Sequence, residues 1–282
     1  MKSIVIAMDG SPASHAALKV AVDWAGLLDA KLRGIFIEDE QRFVSYPAGL
    51  AAEGGVPIAV PLSESAMAAM NATVKSEGNA LEQAFKNACA KLKTDSQFVR
   101  RRGDVNELLT WEARAADLVV VGRRGFSEGT TGRQPGPTTE TLIHQALRPV
   151  LVVPEKPRSG KGALFAYDGS RGVQRVLVPG TAMLASKGEK GLAVSIGEEE
   201  GQEVALRETI LTYWKNWSVK GEFIMVPRKD RVSTILVGLA REKGLGMIVM
   251  GAFGHNPLRE LFFGSNTLEV LEKTDCPVLL MV

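Results

Sequence analysis

The sequence predicts an α/β protein in which helices cover both faces of a parallel β-sheet, and it predicts this fold twice in one chain. Short apolar runs alternate with longer segments whose apolar residues recur at helical spacing, which is typical of β-α-β units. Three sequence blocks also recur in the same order, which indicates an internal repeat. The paired blocks are residues 4–11 and 163–170, 117–125 and 246–254, and 148–153 and 276–281.

The elements of the first half follow from these patterns. The run 4–8 is continuously apolar, as expected of a strand buried on both faces, and 16–28 carries apolar residues at helical spacing. Further strands are expected at 31–37, 97–101, 118–121 and 150–153, and further helices at 76–92, 106–115 and 139–147. About 30 additional residues, at about 41–72, are rich in Ala, Gly, Pro and Ser. They predict a long, partly ordered excursion.

The second half repeats the alternation without the excursion. After the recurring block 163–170, helices are expected at 181–186, 204–217, 232–242 and 266–272, and strands at 192–196, 222–226, 247–250 and 278–281. A Pro-, Gly- and Lys-rich stretch between the halves has linker composition. We therefore expect a first domain at 1–155 and a second at 162–282, each close to the usual domain size.

Composition and charge favour a cytoplasmic protein with neither nucleic-acid nor membrane partners. The chain is 45% hydrophobic with a net charge of +2, too small for a nucleic-acid footprint. The basic run 100–102 is interpreted as a solvated strand end. Asp9 interrupts the apolar start before it resembles a signal peptide, and no apolar run approaches the roughly 18 residues of a membrane span. Cys89 and Cys276 are interpreted as small buried hydrophobes.

The chemistry is expected where strands end, because open α/β sheets bind ligands at the carboxyl ends of their strands. Asp9 and Asp168 each follow a first strand and precede Gly-Ser and a helix. Such an Asp caps the helix or accepts hydrogen bonds from a ligand, and both interpretations stay open at this point. The three histidines are scattered, so the sequence predicts neither catalytic nor metal-binding residues.

The second half also contains a pattern that suits phosphate. Gly251 and Gly254 follow a strand as Gly-x-x-Gly, and nine residues later Gly264 and Ser265 open a helix. Glycines supply positive φ and allow backbone N–H groups to approach phosphate oxygens, while the helix N-terminus attracts negative charge. This combination predicts an anion site in the second half.

The motif G-2x-G-9x-G-(S/T), with the first-strand Asp and a closing Pro-Val-Leu strand, resembles the ATP-binding class of the universal stress protein family. The resemblance covers each half apart from the excursion. It implies two tandem Rossmann-like domains of the adenine nucleotide α-hydrolase type, each with a five-stranded parallel sheet. It also implies the following binding residues in the second half: Asp168, Ile196, Met250, Gly251, Gly254, Gly264, Ser265, Asn266 and Thr267.

The first half departs from that motif. The equivalent residues are Asp9, Ile37, Gly122, Gly125, Gly136 and Thr138. Ten residues rather than nine precede Gly136, and Pro137 replaces the Ser or Thr. Since proline has no N–H to donate, the first site is expected to be degenerate, or to bind phosphate through Thr138, Thr139, Arg123 or Arg124. Because Asp9 and the Gly-Ser after it are intact, binding of adenosine without tight phosphate contact is a further alternative.

The resemblance implies a nucleotide-responsive stress or regulatory protein that binds ATP mainly in its second half, with ADP or AMP as alternative ligands and Mg²⁺ on the phosphates. A slow nucleotide hydrolase or transferase and a nucleotide-free protein-interaction scaffold are the alternatives. The resemblance also implies an internal pseudo-dimer whose closing strands, 150–153 and 278–281, pair antiparallel. An unidentified protein partner and further homodimerisation remain compatible with the sequence.

Overall fold

A computed structural model of the chain describes residues 1–45, 60–126, 133–197, 200–252 and 265–281. Within them, ten strands form one sheet in the order β10-β9-β8-β11-β12-β7-β6-β1-β2-β5. The strands of the first half are β1 (Ser3–Ala7), β2 (Lys31–Asp39), β5 (Ser96–Gly103), β6 (Leu118–Gly122) and β7 (Val150–Val153). Those of the second half are β8 (Ala163–Ala166), β9 (Gly191–Ile196), β10 (Gly221–Val226), β11 (Met247–Gly251) and β12 (Val278–Met281).

Each half contributes five parallel strands, and the halves join through β7 and β12. Those two strands pair antiparallel, with Leu151 opposite Leu279, so the expected pairing of the closing strands is confirmed. All other neighbours in this sheet run parallel. The joint removes two edges that would otherwise expose unpaired backbone groups.

Helices cover both faces of the sheet. The first half contains α1 (Pro12–Leu28), α2 (Glu64–Cys89), α3 (Val105–Ala113) and α4 (Pro137–Gln145), and the second contains α5 (Arg171–Lys187), α6 (Glu200–Asn216), α7 (Val232–Glu242) and α8 (Ser265–Lys273). The strands alternate between two buried apolar clusters, one per face, and each cluster extends through both halves. The helices α1 and α5 contact each other across the joint. Among the described residues, no helix is both long and apolar enough to cross a membrane.

The excursion at 41–72 is more regular than its composition suggests. A 3-10 helix at Glu40–Phe43 leads into β3 (Val44–Ser45), which pairs antiparallel with β4 (Val60–Pro61). Residues 46–59 between them lie outside the described part of the chain. The prediction that the next helix begins at residue 76 is wrong, because α2 begins at Glu64 with Ser63 as its N-cap. Its first turns carry Ala and Met rather than a strong apolar stripe, so the apolar periodicity of the sequence does not indicate that they are helical.

One more helix begins earlier than predicted, and the stretch between the two halves packs on the second half. The helix expected from 181 begins ten residues earlier, since α5 starts at Arg171 and accommodates Pro179 in its interior. The linker is held in place: the Arg158 guanidinium donates to the carbonyls of Ala240 at 2.9 Å and Leu245 at 2.7 Å. Gly160 packs so closely on the backbone of Gly246 that a Cβ would lie 2.6 Å from its nitrogen.

The basic run lies in the outer strand β5, and its side chains meet partners from neighbouring elements. Arg101 Nε donates to Glu112 at 3.2 Å, and Arg33 from β2 reaches the same carboxylate at 2.7 Å. Arg100 pairs with Glu82 at 2.6 Å, and Arg102 lies 4.0 Å from the centre of the Phe43 ring. The run therefore ties β5 to the helices around it.

Candidate nucleotide-binding edge

The predicted site residues collect where the order of strands reverses. In the first half this point lies between β1 and β6, and in the second between β8 and β11. Asp9 and Asp168 each come two residues after the strands β1 and β8, and Gly122 and Gly251 are the last residues of β6 and β11. In each half, the helices that follow these two strands lie on opposite faces of the sheet, and the crevice between them is the usual ligand position in open α/β sheets. The structure thus brings the Asp and the glycine of each half to one place.

The aspartates shape the turns that enter the helices. Asp168 Oδ1 accepts from the Ser170 N–H at 2.9 Å, and Asp9 Oδ1 accepts from the Ser11 N–H at 3.0 Å. The glycine in each turn has positive φ, as it does at Gly169 with 74°. A residue with a side chain is strained in that region, which explains the Asp-Gly-Ser sequence.

The helix caps are the serines rather than the aspartates. Ser11 Oγ accepts from the Ser14 N–H at 3.0 Å, and Ser170 Oγ accepts from the Val173 N–H at 3.4 Å. The alternative in which the aspartates cap these helices is therefore wrong. The sequence held a signal for this, because Ser11 precedes Pro12, and Ser at the N-cap followed by Pro at the first helical position is a common helix start.

Gly251 is needed for a close approach of backbones and not for an unusual φ. A Cβ at this position would lie 3.1 Å from the Val173 nitrogen and 3.2 Å from the Gly172 carbonyl carbon, both in the first turn of α5. Its φ is not positive, so the expectation of left-handed geometry there is wrong. The end of β11 and the start of α5 are instead in near contact, which forms the floor of the crevice.

The N-terminus of α8 forms one wall of the crevice in the second half. Ser265 and Asn266 are exposed there, in the first turn, whose N–H groups have no partner within the helix itself. Thr267 is 2% exposed, and its hydroxyl donates to the Ala252 carbonyl at 2.7 Å, so it braces the loop instead of facing the crevice. Gly254 and Gly264 lie outside the described residues.

Apolar side chains border the same edge. Ile196, the last residue of β9, is half-buried, and Met250 is 6% exposed. Met250 therefore packs into the core and offers a ligand mainly its backbone. In the first half Ile37 is half-buried too, but β2 continues past it to Asp39, so the expectation that the strand ends at Ile37 is wrong.

The loop after β6 in the first half uses its own polar groups. The Phe126 N–H donates to Asp9 Oδ2 at 2.7 Å, so both oxygens of this carboxylate accept from backbone. The Gly136 N–H donates to the Arg123 carbonyl at 2.9 Å, and the Thr139 hydroxyl donates to the Gly122 carbonyl at 3.0 Å. Thr138 is half-buried in the first turn of α4, whose first residue is a proline, and Gly125 is half-buried in the loop.

Arg123 does not face the crevice. Its guanidinium donates to the carbonyls of Leu271 at 2.8 Å and Thr274 at 2.9 Å, at the end of α8 in the other half. Burial, together with the nearby charge of Arg133, lowers the pKa of Arg123 below its ordinary value. The expectation that Arg123 contacts phosphate is wrong. Arg124 bends back within the loop, where it donates to the Gln134 carbonyl at 3.2 Å.

Comparison with known proteins agrees with this architecture. The profile of the universal stress protein family matches residues 1–154 and 164–281. A universal stress protein of Synechocystis is 24% identical over 289 residues, covering 99% of both chains. One from Methanocaldococcus jannaschii is 30% identical over 162 residues, covering 56% of this chain and 84% of that protein.

Solved structures share the whole fold. The crystal structure of a universal stress protein from Archaeoglobus fulgidus has a TM-score of 0.71 and 15% identity, covering 99% of this chain and 95% of that one. A putative universal stress protein from Pseudomonas aeruginosa has a TM-score of 0.61 and 15% identity, covering 100% and 93%. At these identities the likeness shows the fold alone.

The fold, together with the candidate residues at the carboxyl ends of the strands, defines a tandem Rossmann-like protein with one potential ligand crevice in each half. The chain belongs to the universal stress protein family, and each half is one family unit.

Proposed function

We propose that the second half binds an adenine nucleotide, ATP in the first place, and that the protein acts as a nucleotide-responsive stress or regulatory module. The observation that carries this proposal is the crevice between β8 and β11. It combines the Asp168 carboxylate, the close backbone approach at Gly251 and the N-terminus of α8 beside exposed Ser265. A carboxylate suits ribose hydroxyls, and free N–H groups at a helix start suit phosphates.

Other residues at this edge of the sheet support an adenine nucleotide as the ligand. Ile196 offers an apolar surface at the end of β9, which suits the face of a purine ring. A Cβ at position 251 would meet the first turn of α5, so glycine there lets β11 and α5 approach closely and sets the position of the backbone N–H groups that we expect to reach the phosphates. Mg²⁺ that enters with ATP is expected on the phosphates. No cluster of three or more metal-ligating side chains occurs within the described ranges.

The first half supports the proposal less well. Ten residues rather than nine separate Gly125 from Gly136, which departs from the spacing of the second half. Pro137 then removes a donor from the start of α4. We propose that this half is a degenerate site, so that the chain binds one nucleotide tightly.

Identification of the small molecule released when the purified protein is denatured tests the function directly. An adenine nucleotide in the supernatant, near one per chain, supports the proposal. Protein that carries no nucleotide and binds none on addition would favour the scaffold alternative. Continuous release of ADP under excess ATP would favour the hydrolase alternative.

A further inference from the structure

The loop after β6 contacts the second half instead of a ligand. Arg123 lies at its start, and Arg133 lies beyond residues 127–132. Arg133 Nε donates to the Glu272 carbonyl at 2.9 Å, and one of its terminal nitrogens donates to the Lys273 carbonyl at 3.2 Å. The same nitrogen forms an ion pair with Asp275. Two arginines of the first half thus converge on the last turn of α8.

These contacts satisfy carbonyls that no helix can satisfy by itself. The last four C=O groups of an α-helix have no intrahelical N–H partner, and the C-terminal end carries partial negative charge. Arg123 bonds Leu271 and Thr274, and Arg133 bonds the two carbonyls between them. The two guanidinium groups therefore cap the whole C-terminus of α8 with positive charge.

The position of this cap matters because of what lies at the other end of the helix. The helix α8 is nine residues long and begins at Ser265. Its N-terminus borders the second-half crevice where we propose that the phosphates bind, and we call it the phosphate wall. At 1.5 Å per residue, a helix of this length is a short rigid rod, so fixing one end fixes the other. In the described part of the second half, Ala252 occupies the position that corresponds to Arg123, and it has no guanidinium to donate.

We infer that Arg123 and Arg133 form a clasp by which the degenerate first-half loop positions α8, and through it the phosphate wall of the second-half site. The two arginines are positioning residues and do not touch the nucleotide. This inference rests on the proposed function for its binding consequence. In this proposal the loop after β6, whose own N–H groups are bonded within the first half, supports the second half instead of binding a ligand.

The test compares ATP with adenosine, which lacks the phosphates. In the variant Arg123→Ala/Arg133→Ala, we expect affinity for ATP to fall about tenfold, within the range usual for coupling between sites, while affinity for adenosine changes little. Arg158→Ala is the matched control. It removes a guanidinium that donates to the carbonyls of Ala240 in α7 and of Leu245 just after it, and to Cys276 Sγ, but to no carbonyl of α8; α7 follows the outer strand β10. The control is expected to lower thermal stability and to leave the ratio of the two affinities unchanged.

Hydrogen exchange gives a readout that needs no ligand. In the double variant the amides of α8 should exchange faster, while those of α4 keep their protection, because only α8 loses its cap. An unchanged ATP affinity, or equal losses for ATP and adenosine, would overturn the clasp. If the unmodified protein binds neither compound, the proposed function fails. The clasp is then decided by exchange alone, and unchanged protection of α8 would overturn it.

Discussion

Replacement of Gly251 by alanine should separate ligand binding from folding. The new Cβ would lie 3.1 Å from the Val173 nitrogen and 3.2 Å from the Gly172 carbonyl carbon, so the first turn of α5 must move by a few tenths of an ångström. Overpacking of this kind costs about 1–3 kcal/mol in stability. The movement also displaces backbone N–H groups from the phosphates. Each hydrogen bond to a charged group contributes about 1.5–3 kcal/mol, so we expect ATP affinity to fall about tenfold to a hundredfold.

Gly122→Ala is the control in the first half. There a Cβ would lie 2.8 Å from the Ala13 carbonyl carbon and 2.9 Å from the Ser14 nitrogen, which is the tighter fit. This variant should therefore lose more thermal stability than Gly251→Ala and yet bind ATP more tightly than it. Calorimetric titration and thermal unfolding of both variants measure the two effects. Equal losses of affinity, or a Gly251→Ala protein that melts earlier but binds ATP normally, would refute the reasoning.

Four further substitutions address single carboxylates. Asp168→Asn keeps an oxygen that can accept from the Ser170 N–H, but its amide replaces an acceptor that a nucleoside hydroxyl needs, so ATP binding should weaken by about 1–3 kcal/mol. Asp9→Asn should leave tight binding intact. A titration in which Asp9→Asn weakens ATP binding more than Asp168→Asn would contradict the assignment. The Ser233 hydroxyl and then the Lys273 ammonium hold the pKa of Glu269 at about 2, below its ordinary 4.5. The ionised Glu269 carboxylate therefore stabilises the folded protein above pH 4.5, and this contribution is lost as the pH falls from 4.5 toward 2. The melting temperatures of Glu269→Gln and of the unmodified protein should differ at neutral pH and converge between pH 4.5 and 2. Glu112→Gln leaves the Arg33 guanidinium without its carboxylate and should lower the free energy of unfolding by about 1–3 kcal/mol in a urea titration, with no change in ATP affinity.

The alternation of elements could be predicted because it depends on local patterns. Strands such as Leu118–Gly122 are buried on both faces and therefore read as continuous apolar runs. The start of α2 at Glu64 could not be predicted in this way, because its first turns carry no strong apolar stripe and are stabilised by the cap at Ser63. The interior Pro179 similarly concealed the first turns of α5.

The sequence was enough to predict which candidate residues lie together, but not which contacts each of them makes. The spacing of Asp168 and Gly251 relative to their strands was enough to place both at one crevice, because carboxyl ends of parallel strands share an edge. The role of Arg123 was not predictable, since its partners are backbone carbonyls about 150 residues further along the chain. Because every residue has a backbone carbonyl, no sequence pattern indicates which carbonyls Arg123 contacts. Only the junction of β7 with β12 brings that loop and α8 together.

We propose that the chain binds one adenine nucleotide tightly, in its second half. A calorimetric titration with ATP, on protein first stripped of any bound small molecule, measures the number of sites and their affinity. We expect a single tight site per chain, which Asp168→Asn weakens and Asp9→Asn leaves in place. Two sites of equal affinity, or tight binding that depends on Asp9 instead of Asp168, would contradict it.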